Sequence, residues 1–312
     1  MKKLLLLSLC ALSLFCAQIQ TINAQTVWDG TADVSWYDES QTDFYIYTAE
    51  ELAGLASLVN NSTSNFSGKT IHLEADIWLN SDNDNTNNWI KIGGCTQSSG
   101  EISGTIKAFS GTFHGGGHII YNMYCNNSGY FQAGLFGNLQ YPGSIDSLIL
   151  INPVTISNGM MGALVAFIGN NSNSGNGIVN ISECMVINEQ VQGVNTSSNN
   201  NVGGLVGAAY PNKQSGGYCT TNIQHCLVTG SITGQYVGGI CGNSQGAACS
   251  NCYFAGTISS SYATGGICGY SGTVSNCFST FSGSNSSGNG TTKTLAYMQS
   301  NAFLSDLDNH FK

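Results

Sequence analysis

Val237-Gly238-Gly239-Ile240-Cys241-Gly242 decides how this chain is read, because the phrase recurs. It stands earlier as Val202-Gly203-Gly204-Leu205-Val206-Gly207 and later as Gly265-Gly266-Ile267-Cys268-Gly269. A second phrase accompanies it: Ile223-Gln224-His225-Cys226, Cys249-Ser250-Asn251-Cys252 and Val274-Ser275-Asn276-Cys277. The last cysteines of these phrases are 26 and then 25 residues apart (226 to 252, 252 to 277). A fixed period of that size belongs to a solenoid, whose units bury their apolar face only by stacking.

The second phrase also has a geometry. Ile223 and Cys226 are both apolar yet three apart, which strand alternation forbids unless a tight turn intervenes. Asn251 and Asn276 fall at that turn, and asparagine tolerates its left-handed conformation. Past the turn, Cys226 and Val228 are expected to point inward, and Leu227 and Thr229 outward. Degenerate copies extend the pattern upstream: Gly134–Gly137 and Gly162–Ala166 for the first phrase, Ile145–Leu148 and Ile181–Cys184 for the second. Strand–turn–strand coils of this size predict a right-handed parallel β-helix, all-β, with polar inserts on its loops.

The flanks fit that scheme. Thr48-Ala49-Glu50-Glu51 is a capping box, and Leu52, Leu55, Ala56 and Val59 follow at helical spacing. A helix over 49–60 would cover the first coil. Residues 69–79 alternate as a strand, with Ile71, Leu73, Ala75 and Ile77 on one face. Leu295–Phe311 carries Leu295, Met298, Phe303, Leu304 and Leu307 and predicts a short C-terminal capping helix. Met1-Lys2-Lys3, the apolar run to Ala17 and the small Ala24 read as a secretory signal peptide. The expected divisions are therefore 1–24 signal, 25–110 leader and cap, 111–292 coils and 293–312 C-terminal cap. The mature chain is expected outside the cell or on its surface, with the periplasm as an alternative, and not spanning a membrane.

All 8 basic residues are lysines, and after loss of Lys2 and Lys3 the remaining 6 face 17 acids. The resulting charge of −11 argues against nucleic acid as a partner. Ten cysteines remain in the mature chain. Cys184, Cys226, Cys252 and Cys277, with Leu148 as an earlier copy, are expected to stack as small apolar core residues, as are Cys241 and Cys268. Cys95, Cys125, Cys219 and Cys249 lie off those ladders and are the expected disulfide partners.

The glycine phrases with Asn-Cys between them resemble the GLUG repeat. Thr48–Leu79, Trp89–Gly93 and Gly111–His118 resemble the leader that precedes it in secreted Bacteroidetes proteins. His114 departs from the aspartate usual there, and the insert after Leu79 is longer. The resemblance covers nearly all of 44–312 and implies a β-helix at or beyond the cell surface. Similar repeats form non-catalytic parts of streptococcal zinc endopeptidases that cut immunoglobulin A. This chain has no His-Glu-x-x-His, so that activity does not carry over.

Sites are few. Between Ser147 and Ser305 the only acids are Glu183 and Glu189, too little for paired-carboxylate glycoside chemistry. His114 and His118 read as surface imidazoles beside a glycine turn. Asp82, Asp84 and Thr86 place oxygens at alternate positions, a weak calcium candidate without an EF-hand's glycine or final glutamate. No other cofactor is expected. The residues just past the ladder, Ile149, Met185, Leu227, Tyr253 and Phe278, would line up as an outward apolar-to-aromatic ridge. The same residues could equally be covered by a loop or by the C-terminal helix. Tyr236 and Tyr262 would form a second, shorter row. The expected function is a non-catalytic scaffold for adhesion or for binding a host or envelope glycan or protein. The alternatives are a self-associating structural component of the envelope and, third, a polysaccharide-active enzyme.

Overall fold

A computed structural model describes residues 26–98, 101–128, 131–169, 177–193, 200–210, 219–284 and 288–300. Parallel strands stack into three sheets, I to III, that together make a parallel β-helix. Sheet I runs from Asp43–Ile46 through Thr70–Leu73, Thr112–His114, Ser144–Asp146, Gly177–Ser182, Cys219–Gln224 and Ala247–Ser250 to Thr273–Ser275. Sheet II, the glycine-phrase sheet, runs from Phe136–Leu139 to Cys268–Tyr270. Sheet III runs from Ile77–Trp78 to Thr291–Thr292. Each inward column repeats one register. Phe44, Ile71, Phe113, Ile145, Ile181, Ile223, Cys249 and Val274 stack on sheet I. Ile77, Ile120, Leu150, Val186, Val228 and Phe254 do so on sheet III.

The corner between sheets I and III is the turn expected from the second phrase. Ser147, Glu183, His225, Asn251 and Asn276 all have φ between 49° and 57° there. The residue after each, from Leu148 through Cys184, Cys226, Cys252 to Cys277, is at most 1% exposed. The cysteine thiols donate to the carbonyls of Ser182, Gln224, Ser250 and Ser275, at 3.2–3.3 Å. A thiol at this position fills the corner and adds a weak second bond to a carbonyl that already accepts a backbone N–H from a neighbouring coil, which Leu148 cannot do. At Gly238 a Cβ would lie 2.0 Å from the Cys241 carbonyl oxygen, so the paired glycines are forced by close approach of neighbouring strands.

Helix α1, Ala49–Asn60, forms with its capping box: Thr48 Oγ1 accepts from Glu51 N, and Glu51 Oε2 accepts from Thr48 N, both at 3.2 Å. Its other face is buried too, because residues 28–42 fold over it; a Cβ on Gly54 would collide with the Asp33 carbonyl.

Three expectations need correction. The 69–79 strand is two strands, Thr70–Leu73 and Ile77–Trp78, because the chain turns the corner at Ala75. Cys249 is in the core column of sheet I, 1% exposed, and Cys125 is fully buried in register with Thr155. All eight cysteines with described side chains are thiols, so Cys125 and Cys249 join the stack instead of forming disulfides. Backbone alone is described for Cys95 and Cys219. The described part of the C-terminal cap, helix α2 at Leu295–Met298, lies on the outer face of sheet III, where Met298 packs on Tyr253 and Phe278. Those two rings supply an apolar seat beside the stack. Residues 301–312, including Phe303, Leu304 and Leu307, lie outside the described residues.

A second ladder is invisible in the residue spacing. Asn122, Asn152 and Asn188 occupy left-handed turns on consecutive coils, with φ of 53–57°. Asn152 Nδ2 donates to Asn122 Oδ1 at 3.1 Å, and Asn188 Nδ2 to Asn152 Oδ1 at 2.8 Å. The ladder ends where the register shifts between Val186 and Glu189, and Gly230 pairs with Glu189. From there the coils are shorter and the strands longer, Leu227–Gly238 and Tyr253–Gly265.

Candidate functional site

Two imidazoles meet on sheet I, where His72 pairs with His114 and their ring centroids are 5.9 Å apart. Glu183 is exposed at its turn, and Glu189 is 1% exposed with neither carboxylate oxygen hydrogen-bonded. Burial pushes the Glu189 carboxyl well above its ordinary range. Each of three histidines has its own aspartate: His72 with Asp43 at 3.1 Å, His114 with Asp146 at 2.5 Å, His118 with Asp76 at 3.3 Å. The hydrogen bond from His72 holds the Asp43 carboxyl below its ordinary value. Among the described residues, no three His, Cys, Asp or Glu side chains are placed to hold a metal ion. In the calcium candidate, Asp84 Oδ1 accepts from Thr86 N, while Asp82 Oδ1 accepts from Asn122 Nδ2. The two carboxylates thus serve different turns.

The expected ridge is in register. Ile149 pairs with Met185, Met185 with Leu227, Leu227 with Tyr253 and Tyr253 with Phe278. Its aromatic end is closed: Tyr253 is 6% and Phe278 5% exposed beneath Met298, their rings stacked at 5.8 Å. Its aliphatic end, Ile149, Met185 and Leu227, is half-buried on the outer face. A parallel column unseen in the sequence runs beside it: Trp78, Tyr121, Ile151 and Ile187, with Trp78 stacked on Tyr121 at 4.6 Å.

The second aromatic row is open and larger than expected. Tyr236 meets Tyr262 at 5.0 Å and 61°, and Tyr270 at 5.6 Å and 79°. Tyr262 is 71% exposed and Tyr270 45%. Strand pairing explains the projection of Tyr262. Gly234 pairs with Ser260 and Tyr236 with Ala263, so Ser261 and Tyr262 stand against Gln235 alone, which is a β-bulge. The Ser260 hydroxyl fastens it, donating to the Gln235 carbonyl at 2.6 Å and accepting from Tyr262 N at 3.2 Å. Behind the rings, Asn201 and Asn243 each donate to the Tyr210 hydroxyl, at 3.1 and 3.3 Å, and Asn243 Nδ2 also donates to Asn201 Oδ1. Asn201 pairs with Tyr236 and Asn243 with Tyr270, so the amides brace the strands that carry two of the rings. Sequence spacing pointed to Tyr236 and Tyr262. Tyr270 was missed because it follows the glycine phrase that Tyr236 and Tyr262 precede.

The structure resembles the crystal structure of a candidate immunoglobulin A1 protease from Bacteroides ovatus, with a TM-score of 0.54 at 18% identity over 86% of this chain and 88% of that one. That likeness establishes the fold. In sequence, 188 residues (60% of the chain) are 30% identical to Halomucin of Haloquadratum walsbyi, and the match spans 2% of that protein's length. No protein-family profile matches the chain. No helix among the described residues is long and apolar enough to cross a membrane.

Proposed function

We propose that this chain is an exported, non-catalytic β-helix that binds a glycan or protein ligand, as an adhesin-like scaffold at or beyond the cell surface. The observation that carries the reading is the open tyrosine cluster set on a bulge in an otherwise regular stack. Bulges re-aim side chains next to functional sites, and clustered exposed rings are rare on surfaces that bind nothing. The histidines, each bonded to its own aspartate, and the enclosed Glu189 fit a surface that holds a ligand without transforming it. The likeness to Halomucin, a protein named for a mucin, is in keeping with a place outside the cell. The protease name of the structural neighbour is the opposing consideration, and the non-catalytic reading is tested against it directly. Incubation of the purified mature chain with immunoglobulin A1, casein and a polysaccharide panel should leave every substrate intact. Binding to host cells or to immobilised glycans and proteins should fall when Tyr262→Ala and Tyr270→Ala are combined. Turnover of any substrate, or unchanged binding by the double variant, refutes the proposal.

A second reading has its own observation. The two outward columns of sheet III place Trp78, Tyr121, Ile149, Ile151, Met185 and Ile187 on one half-buried apolar face, which suits contact with another copy or an envelope protein. Size-exclusion chromatography at micromolar concentration tests it: a monomer that Ile151→Lys leaves unchanged rules out self-association.

A further inference from the structure

We infer that the tyrosine corner takes a neutral glycan, recognised by stacking of sugar C–H faces on Tyr262 and Tyr270. This rests on the reading of that corner as the ligand surface and goes further by naming the ligand class. Three observations carry it.

The first is charge. From Gln190 to Thr292 the sequence holds one formally charged residue, Lys213, which lies outside the described residues. The described corner offers phenols, amides and hydroxyls only: Tyr236, Tyr262, Tyr270, Gln235, Ser260 and Asn201. A sialylated or uronate chain would need a cation to offset its carboxylates, and an ionic peptide would need a partner charge.

The second is ring presentation. Tyr262 and Tyr270 both stand steeply to Tyr236, so one ring anchors two exposed ones from the side and leaves them open to ligand. Aromatic residues that are apolar on the face and polar at the tip match a pyranose, whose C–H face is apolar and whose rim is hydroxyl.

The third is rigidity. The bulge is fastened by Ser260, and the strands beneath are braced by the Asn201–Tyr210–Asn243 network. Pre-set rings lose little freedom on binding, which is what a weak, hydroxyl-rich ligand requires.

The test is isothermal calorimetry and glycan-array binding of the full mature chain, at 20 mM and 500 mM NaCl. The probes are cellohexaose, laminarihexaose, mannohexaose, xylohexaose and poly-N-acetyllactosamine, set beside sialyllactose, polygalacturonate and a decaproline peptide. Binding to at least one neutral probe is expected, changing less than twofold between the two salt concentrations. Tyr262→Ala should weaken it about tenfold and Tyr262→Phe less than threefold, with melting temperatures unchanged. No binding to a neutral probe, or binding only to the acidic glycans or to decaproline, overturns the ligand class while leaving the corner as a possible ligand surface. Neutral-glycan binding that survives Tyr262→Ala with Tyr270→Ala overturns the assignment of the corner itself.

Discussion

Replacing Glu189 by glutamine should stabilise the protein near neutrality and do little in acid. Glu189 is 1% exposed, both its oxygens lack hydrogen bonds, and a Cβ on Gly204 would come within 2.4 Å of Oε1. An unpaired carboxylate in such a place costs more than neutralising it, so the folded chain holds the proton that the unfolded chain releases. The sign follows from linkage. The folded-state pKa is raised, so stability is greatest below the unfolded value near 4.5 and falls as pH rises towards the folded value. The loss is about 1.4 kcal/mol per pH unit within that window, which sets an upper bound of roughly 3 to 4 kcal/mol at pH 7. Glutamine keeps the shape and removes the titration, although its amide remains as poorly bonded as the acid. Urea unfolding followed by far-UV circular dichroism should therefore give Glu189→Gln and the parent similar stability at pH 4.5. At pH 7 the variant should lead by up to about 3 kcal/mol. An equal difference at both pH values would mean that the carboxyl is solvated and ionised, and the account of the coil interior at the register shift would fall.

Asn152→Ala breaks two side-chain hydrogen bonds and loses asparagine's tolerance of the left-handed turn at φ 53°, so it should cost about 2 to 4 kcal/mol. Asn152→Gly should cost less, since glycine accepts that turn; thermal melts of the two variants decide. Cys252→Ala should lower stability by about 1 to 2 kcal/mol through a core void and loss of the thiol's bond to the Ser250 carbonyl, read from the urea midpoint. Iodoacetamide at pH 8 should leave Cys125, whose thiol burial pushes up to about 11, unmodified in the native chain and label it in urea, as mass spectrometry will show. Phe278→Ala should loosen helix α2 and raise proteolysis near Met298 without melting the coils.

Much of the fold was legible because each coil repeats the same local constraint. The Ile223-x-x-Cys226 spacing demands a corner, and His225, Asn251 and Asn276 are found in the left-handed conformation that it requires. Thr48 and Glu51 announced α1 by the bonds they make. What stayed hidden depends on which coil neighbours which. Asn122, Asn152 and Asn188 are 30 and 36 residues apart, since inserts of unequal length separate them, and only stacking brings their amides together. Cys249 looked isolated because its column partners are Ile223 and Val274, neither of them a cysteine. The ridge was predicted in correct order, but burial of Tyr253 and Phe278 is decided by Met298, which the spacing of the ridge cannot report. The tyrosine corner was half visible, as Tyr262 gains its exposure from a bulge made by one extra residue in its own strand relative to its neighbour.

The corner between sheets I and III is hydrogen-bonded identically from coil to coil: Leu227 to Cys184, Tyr253 to Cys226, Phe278 to Cys252. A segment copied in frame between two such corners would find the same partners above and below it, and would raise everything beyond it by one step of about 4.8 Å. The distance from the helix-sealed base to the tyrosines is thus a matter of how many turns are inserted. Reach can be lengthened or shortened by duplication and deletion alone, with no new contact to invent.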